Sequence, residues 1–218
     1  MKNRNGEKSI SNSLLDNISD PNLGNTLSDV AEIAIDSIID DGLLKDLPII
    51  GSIVNISKAT VSIRDKIFTK KILIFLKGLD SCPIKKREEF LKKISTNLKK
   101  KEKLGETLIV ILDRLNDMNK SVIIANLFKA FIEENLTYQE FTKISNIVSN
   151  VQLDDLQFMR NNKKPMMELP KDILEYLAMN GLMNIGLISP TNSADMQFGS
   201  SIYYVPNELA HKLFKFGF

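Results

Sequence analysis

Residues 42–79 read GLLKDLPIIGSIVNISKATVSIRDKIFTKKILIFLKGL, with an acidic segment before them and a mainly helical remainder after them. The segment opens with a turn, and Asp46 followed by Pro48 is typical of a helix start. Apolar residues then recur at helical spacing, with one threonine among them: Ile53, Ile56, Thr60, Ile63 and Ile67. The pattern predicts one helix that continues to about Leu79 and ends before Pro83.

An acidic helix is predicted just before this segment, over residues 28–41, with Gly42 as its stop. Three carboxylates recur every four residues and lie on one stripe: Glu32, Asp36 and Asp40. Because a short turn joins the two helices, the acidic stripe and the cations after it are expected to meet in an antiparallel hairpin, residues 28–79. Residues 1–25 are polar and are expected to form a flexible arm, with a short helical turn at residues 14–18.

Further helices are predicted up to residue 160, which completes a helical domain over residues 26–160. Thr137 and Glu140 have the spacing of a capping box. The KKKEK run is interpreted as a solvated joint, and a polar joint at residues 161–165 ends the domain. The predicted helices cover residues 84–97, 104–118, 120–134, 137–151 and 153–160.

The last segment, residues 166–218, has a different pattern. A helix over 170–183 is followed by short strands at 185–189 and 201–205, and Pro206 and Asn207 then open a final helix. This order resembles winged-helix domains, as does the placement of Leu182, Gly186, Leu187, Ile188, Tyr203, Tyr204, Val205, Leu209 and Leu213. The predicted fold class is mainly α: a multi-helix domain followed by a small winged-helix-like α+β tail.

The sequence offers no constellation of catalytic or metal-binding residues. It has one histidine, His211, and one distant cysteine, Cys82, so neither a Cys/His dyad nor a His-based zinc site is expected. No Gly-rich phosphate loop is present, and residues 113–141 fail the spacing of a calcium loop. We therefore predict a protein that is not an enzyme and that uses no cofactor and no metal.

The net charge of +2 over 218 residues conceals an uneven distribution. Residues 1–57 carry a net charge of −5, residues 58–103 carry +10 and residues 104–218 carry −3. The basic middle needs an anionic neighbour, and its own acidic segments, a membrane surface or a nucleic acid would each provide one. Pairing within the chain is the simplest of these interpretations.

Two sets of residues in the basic middle are candidates for binding. The candidate membrane or partner surface joins an apolar patch to cations: Ile49, Ile50, Ile53, Val54, Lys58, Arg64, Lys66, Lys70 and Lys71. In this hypothesis the acidic stripe of Glu32, Asp36 and Asp40 restrains the segment until a trigger releases it. The candidate anion-binding set is Lys85, Lys86, Arg87, Lys99, Lys100 and Lys101.

A resemblance extends over nearly the whole chain. Together with the winged-helix-like tail, four stretches resemble uncharacterised bacterial and prophage-borne helical proteins: GLLKDLPIIGSIV (42–54), SIRDKIFTKKI (62–72), ILDRLND (111–117) and LFKAFIEENLTYQEF (127–141). The layout is also similar to that of abortive-infection, or phage-defence, proteins. The resemblance implies phage–host conflict as the setting and supplies no catalytic residues.

The first functional hypothesis is a non-enzymatic protein-interaction module in phage defence, prophage immunity or counter-defence. Its expected partner is another protein, and self-association is a further option. The alternatives are a membrane-acting helical effector that uses residues 43–79 and a winged-helix nucleic-acid-binding regulator. The second alternative is less favoured because the tail helix offers one cation, Lys171, beside Asp172 and Glu175.

The expected location is cytoplasmic, with peripheral contact at the inner membrane face under the membrane hypothesis. The first residues have no apolar stretch typical of a signal peptide, and the sequence has no uncharged apolar run long enough to cross a bilayer.

Overall fold

The structure is a computed structural model that describes residues 10–20, 62–161, 170–188 and 201–218. Within these ranges the chain forms nine α-helices and one two-stranded antiparallel sheet, which confirms the mainly α class with a small α+β tail. The helices are α1 (Ile10–Ile18), α2 (Ile63–Gly78), α3 (Ile84–Ser95), α4 (Leu98–Arg114), α5 (Lys120–Ile132), α6 (Tyr138–Asn150), α7 (Leu153–Asn161), α8 (Lys171–Met179) and α9 (Glu208–Phe216), and the strands are β1 (Met183–Ile188) and β2 (Ser201–Pro206).

The core forms around α5, which packs against both α2 and α6. Phe128 of α5 is fully buried, and its ring centroid lies 5.8 Å from that of Phe75, 5.9 Å from that of Phe90 and 5.5 Å from that of Phe141. Aromatic pairs at such distances contribute about 0.5–1.5 kcal/mol each beyond the area they bury. This cluster therefore joins α2, α3 and α6 to the central helix.

The predicted flexible arm is wrong for residues 10–18, which form α1 and belong to the core. Leu14, Leu15 and Ile18 are fully buried. The helical turn expected at residues 14–18 is present, but the helix is longer and is held by tertiary packing on α4. Small polar residues dominate this stretch of sequence, but its three large apolar side chains lie on one face of the helix. Burial of each of these side chains contributes roughly 1.5–3 kcal/mol to stability.

The sequence predicts a helix from Pro48 to about Leu79; among the described residues, α2 begins at Ile63. Ser62 is its N-cap, with an extended backbone at φ −71° and ψ 159° that no continuous helix would have. The Ser62 hydroxyl accepts from the Asp65 N–H at 3.1 Å, and the Asp65 carboxylate accepts from the Ser62 N–H at 3.2 Å. The C-terminal end is confirmed, since α2 stops at Gly78 and a 3₁₀ turn follows over Leu79–Ser81.

The face that α2 buries differs from the predicted stripe. Ile63 and Ile67 were expected to face the core, yet they are 79% and 41% exposed. The buried face is set by Ile72, Phe75 and Leu76, which contact the aromatic cluster and α5. The predicted hairpin with the acidic helix, and the apolar members Ile53 and Ile56 of the stripe, lie outside the described residues.

The KKKEK run at 99–103 is not a joint but part of α4, which starts at Leu98. Asn97 is the N-cap, and its side-chain oxygen accepts from the Lys100 N–H at 3.1 Å. Lysine and glutamate are favourable helix formers, so a charged run next to a good cap extends the helix instead of breaking it.

The capping box of α6 is confirmed, with Thr137 accepting from the Glu140 N–H and Glu140 accepting from the Thr137 N–H. The helix–strand–strand–helix order of the tail is also as predicted. Buried side chains of the tail, among them Leu177 and Leu213, belong to the same hydrophobic cluster as Phe128. The division into two domains stays a prediction, because the joint that would separate them lies mostly outside the described residues.

Candidate protein-interaction surface

The tail hairpin presents one face that is uncharged and mainly apolar. β1 and β2 pair in antiparallel register, and three of the six pairs place their side chains on this side: Met183 with Pro206, Ile185 with Tyr204, and Leu187 with Ile202. The other side carries Asn184, Gly186, Tyr203 and Val205. We call the first set the apolar hairpin face.

Only the base of the apolar hairpin face is covered. Met183 and Tyr204 are 5% and 8% exposed, because they pack into the core beside α8 and α9. Towards the tip the same face is open, with Ile185 at 61%, Leu187 at 68% and Ile202 at 49% exposure. The face is therefore part of the hydrophobic core at its base and exposed to solvent at its tip, and its side chains are apolar at both ends.

The hairpin is held at its base by Asn207, the N-cap of α9. Its N–H donates to the Leu182 carbonyl at 3.1 Å, and its side-chain amide donates to the Gly181 carbonyl at 2.7 Å. The same side chain accepts from the Ala210 N–H at 3.0 Å. Asn207 thus ties the chain before β1 to the chain after β2, which fixes where the exposed tip projects.

The turn that leads into β1 depends on Gly181, whose φ of +81° lies in the left-handed region. It closes α8 in a Schellman motif, with the Leu182 N–H donating to the Leu177 carbonyl at 3.0 Å. On the outer side of the hairpin, Gly186 lies under the Tyr203 ring, and a Cβ at Gly186 would come within 2.1 Å of that ring. The tyrosine therefore covers the glycine across the strand pair.

An ion-pair cluster joins the tail to the helical domain. Lys212 of α9 donates to the Glu140 carboxylate at the start of α6, and it also lies 2.9 Å from Glu208. The hydrogen bond from Lys212, with further bonds from the backbone and hydroxyl of Thr137, lowers the pKa of Glu140 to about 2. The same two carboxylates raise the pKa of Lys212. Both groups therefore remain charged over the whole physiological range, and α9 stays paired to α6.

The two strands contain no Asp, Glu, Lys or Arg. The surface they form therefore suits contact with another apolar surface.

The candidate membrane or partner surface lies only partly within the described residues. Ile49, Ile50, Ile53, Val54 and Lys58 are outside them, as are the acidic restraints Glu32, Asp36 and Asp40. Arg64 is exposed and forms an ion pair with Asp113, with 3.2 Å between the nearest atoms. Lys66 and Lys70 are half-buried on α2.

Lys71 was predicted to face outward with these cations, but its side chain is buried. Its ammonium donates to the Asp113 carbonyl at 3.0 Å, near the C-terminus of α4. Burial lowers the pKa of Lys71, and the nearby Asp113 carboxylate opposes that shift. The reason for the error is that α2 buries a different face from the one the stripe indicated.

The candidate anion-binding set does not form one open patch. Arg87 is 3% exposed, and its guanidinium donates to the Ile18 carbonyl at 3.1 Å, so it stabilises the C-terminus of α1 instead of facing a ligand. Lys86 lies 3.0 Å from Glu133, and Lys101 lies 3.8 Å from Asp16. Lys85, Lys99 and Lys100 are exposed. The nucleic-acid alternative stays a prediction.

Two side chains that can be reactive in other proteins, Lys120 and Cys82, are buried here. Lys120 is fully buried at the start of α5, and its ammonium donates to the Asn116 side chain at 2.6 Å and to the Val151 carbonyl at 2.5 Å. Burial lowers its pKa, and Asp117 opposes the shift. Burial likewise raises the pKa of Cys82, which keeps the thiol protonated. Because both side chains are enclosed by core residues, neither is open to a substrate.

Among the described residues, no three His, Cys, Asp or Glu side chains lie close enough together to hold a metal ion. In the same part of the chain, no helix combines the length and apolar character needed to cross a membrane.

Sequence reasoning placed both strands but did not identify their exposed tip as a binding surface. The signal was present, because the alternate residues Met183, Ile185 and Leu187 are all apolar and the strand carries no charge. Such a pattern predicts a buried face. The packing of α8 and α9 shows that this face is buried at Met183 and exposed from Ile185 onwards.

Comparison with protein-family models, with curated proteins and with solved structures finds no significant match to the chain. The resemblance to abortive-infection proteins therefore stays a prediction.

Proposed function

We propose that this chain is a non-enzymatic protein-interaction module and that the apolar hairpin face is its binding surface. The observation that supports the proposal is the exposure of Ile185, Leu187 and Ile202 on one uncharged face. Clustered exposed apolar side chains on a soluble domain are typical of interaction sites. Covering each of these three side chains with a partner would contribute on the order of 1 kcal/mol.

The proposed setting is phage–host conflict in the bacterial cytoplasm. This part of the proposal rests on the resemblance of the sequence to prophage-borne and abortive-infection proteins, and no contact within the fold bears on it. The role is phage defence, prophage immunity or counter-defence, which differ in whether the chain lowers or raises phage growth.

The test is recovery of a partner from bacterial cells that express the tagged full-length chain, before and after phage infection. Leu187→Lys combined with Ile202→Lys places two charges on the tip, and the expected result is loss of the partner and of any effect on phage plating. Met179→Lys is the matched control, because Met179 is 88% exposed on α8 and lies outside the hairpin. Recovery of no partner in either culture, with unchanged plating, would contradict the proposal.

A second candidate is peripheral binding to an anionic membrane, and one observation on α2 favours it. Ile63 and Ile67 are exposed beside the cations Arg64, Lys66 and Lys70, which is the composition of an interfacial helix. Each cation near an anionic surface contributes roughly 1 kcal/mol. Lys71, the fourth α2 cation of this hypothesis, is buried. The hypothesis's other residues, including the acidic restraints, lie outside the described residues.

Liposome sedimentation tests the membrane candidate. Changing Glu32, Asp36 and Asp40 together to Gln or Asn is expected to increase binding to anionic vesicles, and adding Ile63→Ser and Ile67→Ser is expected to abolish it. Neutral vesicles are the control. If the triple variant neither sediments with anionic vesicles nor depolarises cells, α2 has no membrane role.

A further inference from the structure

An open cleft of about 270 Å³ lies between α5 and the end of α9. Its walls combine cationic, aromatic and polar side chains: Asn126, Lys129, Glu133, Lys215, Phe216 and Phe218. Half of them belong to α5 and half to residues 215–218, and none belongs to the hairpin. Sites for small molecules begin at about 300 Å³, so a cleft of this size suits a small ligand.

Positive charge is in excess in the cleft. Glu133 is already paired with Lys86, with 3.0 Å between the nearest atoms. Lys129 donates to the Ser81 hydroxyl at 3.2 Å and keeps its other N–H donors for a ligand. Within the described part of the chain, neither Lys129 nor Lys215 forms an ion pair. Two ammonium groups therefore line one cleft with no carboxylate paired to them, which favours an anionic ligand.

The aromatic wall of the cleft is held in place by α5. The Asn126 side-chain amide donates to the Gly217 carbonyl at 3.1 Å, and the Gly217 N–H donates to the Leu213 carbonyl at 2.7 Å. Phe216 and Phe218, on either side of Gly217, are half-buried. Because the carbonyl can only accept, the amide nitrogen faces it, and the Asn126 oxygen remains as an acceptor for a ligand. The rings and this acceptor are therefore positioned before a ligand binds.

From these observations we infer that the cleft binds a phosphate monoester carried by a flat ring system, the chemistry of a nucleoside monophosphate. Lys129 and Lys215 match the charge of roughly −2 on such a phosphate near neutral pH. A base packs favourably on aromatic side chains, which Phe216 and Phe218 supply. The Asn126 oxygen accepts from an amino group of the base. This inference goes beyond the proposed function, because it uses none of the residues of the apolar hairpin face.

Isothermal titration calorimetry of the purified full-length chain with AMP tests the inference. The expected result is saturable binding with a Kd on the order of 100 µM. Adenosine, which has no phosphate, and inorganic phosphate, which has no ring, are each expected to bind at least about 10-fold more weakly, since each makes only part of the contacts. Absence of AMP binding would overturn the inference. Adenosine or inorganic phosphate that binds as tightly as AMP would overturn it too, because one half of the proposed ligand would then contribute nothing.

Substitutions locate the site, and Lys129→Gln and Lys215→Gln are each expected to weaken AMP binding by about 10-fold, because each removes a charge-assisted hydrogen bond. Phe218→Leu removes a ring and is expected to weaken AMP binding while leaving phosphate binding unchanged. Lys143→Gln is the matched control, since Lys143 is exposed on α6 and does not line the cleft. Circular dichroism checks that the variants fold, which the exposure of Lys215 predicts for its variant. Unchanged binding in both cleft lysine variants would overturn the inference, as would an equal loss in Lys143→Gln.

Discussion

Glu134 has a left-handed backbone, with φ at 61°, the one such non-glycine residue in the ranges that the structure describes. It closes α5 in a Schellman motif, in which the Asn135 N–H donates to the Ala130 carbonyl at 2.9 Å. A side chain with a Cβ costs about 1 kcal/mol in this conformation, and glycine does not have that cost. We therefore expect Glu134→Gly to raise the free energy of unfolding by about 1 kcal/mol, measured by urea denaturation.

The substitution also removes an ion pair, because Glu134 lies 2.6 Å from Lys93. Both side chains are about three-quarters exposed, and pairs of this kind contribute little to stability. Glu134→Gln is the matched control: it removes the charge, keeps the Cβ and should leave the urea midpoint nearly unchanged. Equal midpoints for the glycine and glutamine variants would show that the left-handed backbone is not under strain.

The pKa of Glu140, about 2, predicts a pH dependence of stability. The pKa rises to its ordinary value near 4.5 on unfolding, so the unfolded state binds more protons between these two values. The stabilisation is complete above about pH 4.5 and is lost as the pH falls towards 2. Lys212→Met removes the main cause of the shift. The difference in unfolding free energy between wild type and this variant should therefore become smaller as the pH falls from about 4.5 to 2. Lys215→Met, which changes an exposed cation of the same helix, should show no such trend.

At the scale of elements, α2 and α5 approach each other closely at Gly78, where an added Cβ would lie 2.5 Å from the Ala125 Cβ. Gly78 has an ordinary right-handed backbone, so close packing, not conformational freedom, requires glycine here. Helix propensity alone would favour alanine by about 1 kcal/mol. We expect Gly78→Ala instead to destabilise the fold by about 1–3 kcal/mol, as overpacking does.

A double-mutant cycle tests this explanation. Ala125→Gly removes the opposing methyl group, so the double variant should be more stable than the sum of the two single changes predicts. Thermal unfolding of the four proteins provides the coupling energy. Additive effects would mean that the two helices separate easily and that their spacing is not fixed by these small residues.

Helix ends were predictable where the signal is local. The Thr137–Glu140 capping box was recognised, and it forms as expected because all of its atoms lie within four residues. Ser62 and Asp65 have the related serine–acid spacing, which marks a helix start inside an apolar stripe that by itself predicts one continuous helix. The predicted buried face of α2 was wrong because apolar periodicity indicates an amphipathic helix but does not indicate which neighbouring element covers it.

At the scale of the whole molecule, the fold class and the order of the tail could be predicted, but the surfaces could not. Arg87 looked like a solvent-facing cation within a basic run, and it is buried because α1 ends beside it. Ile185 and Leu187 lie at alternate positions of an uncharged strand, and they are exposed because the covering helices reach only the base of the hairpin. Both outcomes depend on contacts between residues far apart in the sequence, which spacing does not encode.

The last prediction concerns how the two parts of the chain hold together. The polar joint at 161–165 contains Lys163 and Lys164, so trypsin is expected to cut between them under native conditions. The two fragments should nevertheless elute together, because Ala210 and Leu213 of α9 are fully buried and the Asn126 side chain donates to the Gly217 carbonyl at 3.1 Å.

Size-exclusion chromatography of the trypsin-cleaved protein, with and without urea, shows whether the two fragments stay associated. One peak in native buffer that splits in urea is the expected result, since α9 packs on α5 and α6 within a shared core. A variant with both lysines changed to serine is the control for cleavage at this site. Separation in native buffer would show two independent domains, and resistance of the wild type to trypsin would contradict the predicted joint. Co-elution would mean that the tail, and the hairpin it carries, keeps a fixed position on the helical domain, as a surface that binds another protein requires.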